Sequence, residues 1–360
     1  MKHNKIDFPL LLCVIFMSLL GMIMIYSASS IWAEYKFHDP LKFVKNQGLF
    51  FLISIFLCGF ITKLNPKTFE KYSNKYLAVC FLLLILVLIP GIGTVRNGSR
   101  SWFGIGGFGI QPSEFSKVAL IIFVSKYLAN NQRELKSIKK GVFPIFLVIL
   151  AFFFLILLEP DFGSAMVIVL TLISLIFISG VKLSFFIRLG ILGIIGITIL
   201  ILIAPYRLER ILSFLNPWSD PLGSGFQIIQ SLYAIGPGGL LGQGFLNSRQ
   251  KNFYLPEPQT DFIFSIISEE FGFLGVLLIS SLFFFVFYRS IKIALKQENL
   301  FLKYVAFGLS IGIIIQALLN LSVVTGLIPV TGVTLPFFSY GGSSLLITMI
   351  SMGIILNISK

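Results

Sequence analysis

The chain has 360 residues, 56% of them hydrophobic and only 12% charged, with a net charge of +13. A soluble protein carries about 25% charged residues, so water is excluded as the main solvent for this chain. The basic excess is scattered among short loops, which excludes the clustered basic face of a nucleic-acid binder and matches the lysine and arginine bias of a membrane protein's inner loops.

A bilayer crossing needs about 20 mostly apolar residues. Runs near 8–28, 45–62, 75–91, 113–129, 141–158, 163–180, 184–204, 261–288, 301–327 and 340–357 meet that need. They are continuously apolar, without the alternation of a closed barrel, so helices are expected. The expected fold is an all-α polytopic membrane protein of about ten transmembrane helices. It forms one domain over 1–360, with a large outer loop at about 205–260 between helices 7 and 8. The first run ends in Tyr26-Ser27-Ala28-Ser29-Ser30, faintly like a cleavable signal. Signal cores are usually shorter, so a retained helix is expected. Cys13, Cys58 and Cys80 lie inside apolar runs and read as small hydrophobes. His3 and His38 have no partners for a Ser-His or zinc arrangement.

With the N-terminus inside, the inner segments hold 18 of the 28 basic residues, which places both termini in the cytoplasm. Acids show the reverse pattern. Glu34, Asp39, Glu114, Glu159, Asp161, Glu209, Asp220, Glu257 and Asp261 fall outside or at the outer boundary. Acids contribute little to topology, so the excess predicts chemistry that faces outward. The inner loops offer no Walker-type nucleotide loop.

Five outward segments carry the candidates. In 96–102, Arg100 suits phosphate oxygens, and Trp102 is either an interfacial anchor or a stacking surface for a sugar. In Gln111-Pro112-Ser113-Glu114-Phe115-Ser116-Lys117, Pro112 and Glu114 are good helix-start residues, and Glu114 and Lys117 share a helix face. That pair reads equally as a stabilising contact or as interior function. In Glu159-Pro160-Asp161 a carboxylate at the membrane boundary is partly desolvated and suited to accept a proton; Asp161 also reads as a helix N-cap. The long stretch 205–260 holds an amphipathic piece at 207–212, a glycine-rich turn at 236–244, the cations Arg249 and Lys251, and the acids Glu257 and Asp261. Beyond it, Glu269 and Glu270 lie deep enough along their helix to need partners or a cavity. In 332–344, Pro336, Gly341 and Gly342 interrupt the helix and predict a re-entrant turn lining a cavity, or a plain loop before close-packed small residues.

Four motifs together resemble the SEDS glycosyltransferases. They are Gln-Pro-Ser-Glu at 111–114, Glu-Pro-Asp-Phe-Gly at 159–163, Tyr-Leu-Pro-Glu-Pro-Gln-Thr-Asp-Phe-Ile-Phe at 254–264 and Ser-Tyr-Gly-Gly-Ser-Ser at 339–344. Residues 247–251 are similar to the FtsW/SpoVE branch more than to RodA. The resemblance implies a peptidoglycan glycosyltransferase that polymerises lipid II at the outer membrane face in septal division or sporulation and releases undecaprenyl diphosphate. It implies Asp161 as general base. Arg100, Trp102, Gln111, Glu114, Lys117, Arg249, Glu257, Asp261 and Ser339 are implied as substrate-binding residues. No cofactor is implied beyond a possible divalent metal ion. The implied partners are a class B penicillin-binding protein and divisome proteins. Many members have Arg-Trp where this chain has Ser101-Trp102, which shifts the arginine by one residue to Arg100. A lipid II flippase and a non-catalytic scaffold for the transpeptidase are the alternatives.

Overall fold

The computed structural model describes residues 6–96, 98–104, 109–203, 208 and 212–360. Eleven α-helices can be followed among them: α1 Phe8–Phe37, α2 Lys42–Ile61, α3 Pro66–Leu88, α4 Pro112–Asn130, α5 Phe143–Leu158, α6 Phe162–Ile178, α7 Leu183–Ile203, α8 Phe226–Ile235, α9 Ile263–Leu295, α10 Leu300–Val324 and α11 Gly342–Ile358. A helix lies over each of the ten expected segments, and α8 is a short addition within the outer loop. Among the described residues six segments are long and apolar enough to cross a membrane by length and composition. The amphipathic piece expected at 207–212 lies largely outside the described residues.

Local chemistry sets the helix starts. Asp7 accepts from Leu10 N to cap α1, Asn65 caps α3 ahead of Pro66, and Asn299 caps α10. The helices bury one face and leave the other apolar and exposed, as with Leu52, Phe56 and Phe60 on α2. An outer surface this apolar is a lipid-facing surface.

The two ends of the bundle differ. At one end Arg289 pairs with Asp7 at 2.7 Å, and Asn357 Nδ2 donates to the carbonyls of Ile61, Thr62 and Leu64. This is the end expected inside, and the start of α1 meets the end of α11 there, Asp7 N donating to Ser359 Oγ at 3.1 Å. The opposite end gathers 88–96, 98–104 and 109–111, the turn 159–161, the loop 236–262 and the segment 325–341.

Two features depart from the expected all-helical pattern. Thr94–Arg96 and Ser99–Trp102 pair as antiparallel strands β1 and β2. The one-residue displacement of Arg100 therefore moves it to the opposite face of a strand. The span expected as one helix over 261–288 is also broken, at Gly272 (φ 60°, ψ −156°). A helix break leaves carbonyls and N–H groups without intrahelical partners. The glycine-rich run supplies them: Gln243 N and Gly244 N donate to the carbonyls of Glu269 and Glu270, while Phe273 N and Leu274 N donate to those of Gly239 and Leu240. Only glycine fits this backbone-on-backbone approach. A Cβ on Gly272 would lie 2.5 Å from Gly242 N, and one on Gly238 would lie 2.2 Å from Ser268 O. Part of the outer loop thus folds into the bundle.

Candidate functional site

The apolar helix α5 stops at Glu159-Pro160, where proline has no N–H to continue it. Asp161 then caps α6, accepting from Ser164 N at 3.0 Å through Oδ1. Its second oxygen accepts from Gln111 Nε2 at 2.7 Å. Two motifs fifty residues apart therefore meet at one carboxylate. Glu159, two residues earlier, is fully buried, and neither of its carboxyl oxygens has a hydrogen-bond partner among the described residues. Burial first, and the nearby Asp161 second, push its carboxyl up to about 9.

Gln111 is held in place by the last motif. Its N–H donates to Ser343 Oγ at 3.1 Å, and that hydroxyl donates to Gly109 O. Further into the bundle, Lys117 pairs with Glu114 at 2.7 Å and donates to Gln316 Oε1 at 2.7 Å. Gln316 Nε2 in turn reaches Thr334 O, Thr334 Oγ1 and Ser344 Oγ at 3.1–3.3 Å. The Glu114–Lys117 pair is interior, as the shared helix face predicts, and it is part of a longer polar chain. Lys117 and Gln316 border a small cavity of about 30 Å³ with Thr171, Thr348 and Ser351.

Segment 331–334 is the meeting point. Gly163 lies so close to it that a Cβ there would be 2.5 Å from Thr331 O and 2.7 Å from the Val333 side chain. From another side, Asn320 Nδ2 donates to both Val333 O and Asp261 O at 2.7 Å. Asp261 Oδ1 accepts from Thr260 Oγ1 at 2.9 Å. Gly163, two residues after Asp161, and the backbone carbonyl of Asp261 are thereby brought to the same short segment.

The hairpin sits on the turn through Ser99 Oγ, which donates to Glu159 O. Arg100 Nη1 donates to Leu88 O at 3.4 Å, and Arg96 stacks its guanidinium 5.1 Å from the Trp102 ring centroid. Arg249 is exposed and is anchored by its backbone, whose N–H donates to Glu269 Oε1 at 2.8 Å. Glu257 is exposed in a turn closed by Thr260, whose N–H and hydroxyl both donate to Glu257 O. Ser339 is buried, and its hydroxyl accepts from Leu335 N at 2.8 Å, which closes a turn.

Glu269 and Glu270 do have the partners their depth demands. Glu269 accepts from Ser248 Oγ and Arg249 N, and Glu270 accepts from Ser27 Oγ and from Lys251 Nζ at 2.9 Å. Sequence reasoning did not single out Gln316, Asn320, Thr334 or Ser27. Gln316 and Asn320 carry a signal: two amides four residues apart in an apolar helix mark its interior face. Among the described residues no three of His, Cys, Asp and Glu come together as a metal-binding group.

The family model described as "Cell cycle protein", which groups FtsW, RodA and SpoVE, matches residues 8–360. Stage V sporulation protein E of Bacillus subtilis (strain 168) is 50% identical over 359 residues, covering 100% of this chain and 98% of that protein. A probable peptidoglycan glycosyltransferase FtsW of Geobacter sp. (strain M18) is 41% identical, covering 98% of this chain and 96% of that one. Among solved structures, a chain from work on the coordination of polymerization and crosslinking by a peptidoglycan synthase complex superposes with TM-score 0.81 at 29% identity, covering 99% and 98% of the two chains. The rod shape determining protein RodA of Thermus thermophilus superposes with TM-score 0.73 at 26% identity, covering 99% and 97%. That protein has also been solved with one aspartate changed to alanine.

Proposed function

The chain belongs to the cell cycle protein family of FtsW, RodA and SpoVE, and on that premise we propose how its outer end carries out glycan polymerisation. It is a multi-pass membrane protein and a peptidoglycan glycosyltransferase of the division and sporulation type. The substrate is lipid II, and the site of action is the septal membrane. The acceptor sugar's 4-hydroxyl attacks the anomeric carbon of the donor, a base takes the hydroxyl proton, and undecaprenyl diphosphate leaves. The chemistry needs one base and cations for the leaving group.

The observation that carries this reading is that the start of α6, two residues after Asp161, and the Asp261 backbone are both held against segment 331–334. Asp161 is the base implied by the Glu-Pro-Asp motif, held in a fixed orientation by Ser164 N and Gln111. Arg100 and Arg249 supply charge neutralisation from the outer end. Lys117 is already matched by Glu114 inside the bundle and acts there by holding Gln316 and Thr334 in place. Trp102 packs the donor sugar, while Gln111 and Glu114 act through the groups they hold.

A second reading gives the base to Asp261, and two observations favour it. Both oxygens of Asp161 already accept hydrogen bonds, from Ser164 N and Gln111 Nε2, and so hold the starts of α6 and α4 together. The aspartate replaced in the Thermus RodA variant lies in the last third of a chain coextensive with this one, where Asp261 is this chain's only aspartate. Asp161 is then a positioning residue. Turnover of lipid II against pH in Asp161→Asn and Asp261→Asn separates the readings. The base variant loses turnover at every pH, and the positioning variant keeps a reduced rate with the wild-type profile.

Crosslinking belongs to a separate chain. A class B penicillin-binding protein is the proposed partner, supported by the solved neighbour's origin in a peptidoglycan synthase complex; divisome proteins are the further proposed partners. The residues fit no dedicated metal cage, and a divalent ion, if used, would arrive with the substrate's diphosphate.

A further inference from the structure

Glu159 lies beside the proposed chemistry and takes no part in it. Its backbone is committed: the N–H donates to Ile156 O at 3.1 Å, and the carbonyl accepts from Ser99 Oγ. Its side chain is 0% exposed, with both oxygens unpartnered among the described residues. The charged groups described beside it have other partners, Arg96 on β1 being stacked on Trp102. On its own turn, Asp161 is bound to Ser164 and Gln111. On β2, Arg100 reaches Leu88 O. On α4, Glu114 and Lys117 pair with each other. On α3, Tyr76 donates to Phe115 O, and Cys80 is buried. Helix α5 itself carries no charge.

An isolated carboxylate in such a place neutralises itself by keeping its proton, because the ion would lose its hydration and gain nothing. A second anion two residues from Asp161 would add like-charge repulsion. We propose that Glu159 is a positioning residue held as the neutral acid, so that the turn carries a single negative charge, on Asp161. The inference rests on placing the reaction at this end of the bundle, where the donor substrate brings a diphosphate. A neutral Glu159 lets the turn pack inside the bundle and keeps a surplus anion away from that diphosphate. Its upward displacement to about 9 agrees with this assignment.

The test has two arms on the full-length protein in detergent or nanodiscs. Infrared spectroscopy of the wild type at neutral pH should show the carbonyl stretch of a protonated carboxylic acid. That band should titrate away at alkaline pH and be missing in Glu159→Gln. Lipid II polymerisation by Glu159→Gln should match the wild type at neutral pH and persist at alkaline pH, where the wild type falls off. A wild-type spectrum without the band, or with the band unchanged in Glu159→Gln, overturns the proposal. So does a variant that shares the wild type's alkaline loss of turnover. The infrared arm does not depend on polymerase activity, so a failure of the assigned reaction leaves it readable.

Discussion

Gln111 Nε2 donates to Asp161 Oδ2 at 2.7 Å, and through this bond the start of α4 fixes the start of α6. A hydrogen bond to a charged group contributes about 1.5–3 kcal/mol. Gln111→Ala should therefore lower lipid II turnover by roughly ten- to a hundredfold, with little change in the amount of folded protein. Gln111→Glu should be worse, because it sets a second carboxylate against the first. Steady-state polymerisation assays on the purified variants check both.

The Glu114–Lys117 pair is almost completely desolvated, with side-chain exposures of 7% and 12%. Removing one partner strands the other charge, at a cost of about 3–5 kcal/mol. Lys117→Met should sharply lower the thermal midpoint in detergent, and adding Glu114→Gln should recover much of the loss. Thermal denaturation of the two singles and the double forms the cycle. Additive losses would show that the pair is uncoupled.

Much of this arrangement is legible in the sequence, and the reason is local. Apolar runs announce the helices, Pro112 marks the start of α4, and Asp161 sits where an N-cap belongs. What is not legible depends on contacts distant in sequence. The break at Gly272 is invisible because its missing partners come from residues 239–244, and a glycine within an apolar helix pattern is commonly tolerated. Strands β1 and β2 are only three and four residues long, too short for a periodic signal. Ser339 looks like a ligand-facing serine by motif, yet the turn around Leu335 takes its hydroxyl.

Gly272→Ala tests the broken helix. At φ 60° a Cβ is strained in itself, and here it would also meet Gly242 N and Gly238 O at 2.5 and 2.7 Å. The substitution should cost more than about 1 kcal/mol and release the run 236–244 from the break. Limited proteolysis should then cut within 236–262, where the wild type resists. Equal resistance of the two proteins would contradict the packing.

Glu159 gives stability a pH dependence of definite sign. Unfolded, its carboxyl loses its proton near the ordinary value of 4.5; folded, it keeps the proton to about 9. Unfolding therefore releases a proton throughout that interval, and the contribution of Glu159 to stability is fully present below 4.5 and declines as pH rises through the window. Glu159→Gln removes the dependence. The thermal midpoint of the variant should gain on that of the wild type as pH rises from about 5 to about 9, and the gap should then level off. A gap that does not change with pH would show that Glu159 is already ionised.

Asp161 or Asp261, whose backbone neighbourhoods are both held to segment 331–334, supplies the base for glycan elongation. The most direct measurement is lipid II polymerisation by the wild type, Asp161→Asn and Asp261→Asn, each with its penicillin-binding partner, with and without divalent metal, alongside lipid II binding. The account predicts glycan strands from the wild type, and none from one aspartate variant that still binds lipid II. Strand formation at the wild-type rate by both variants would contradict it.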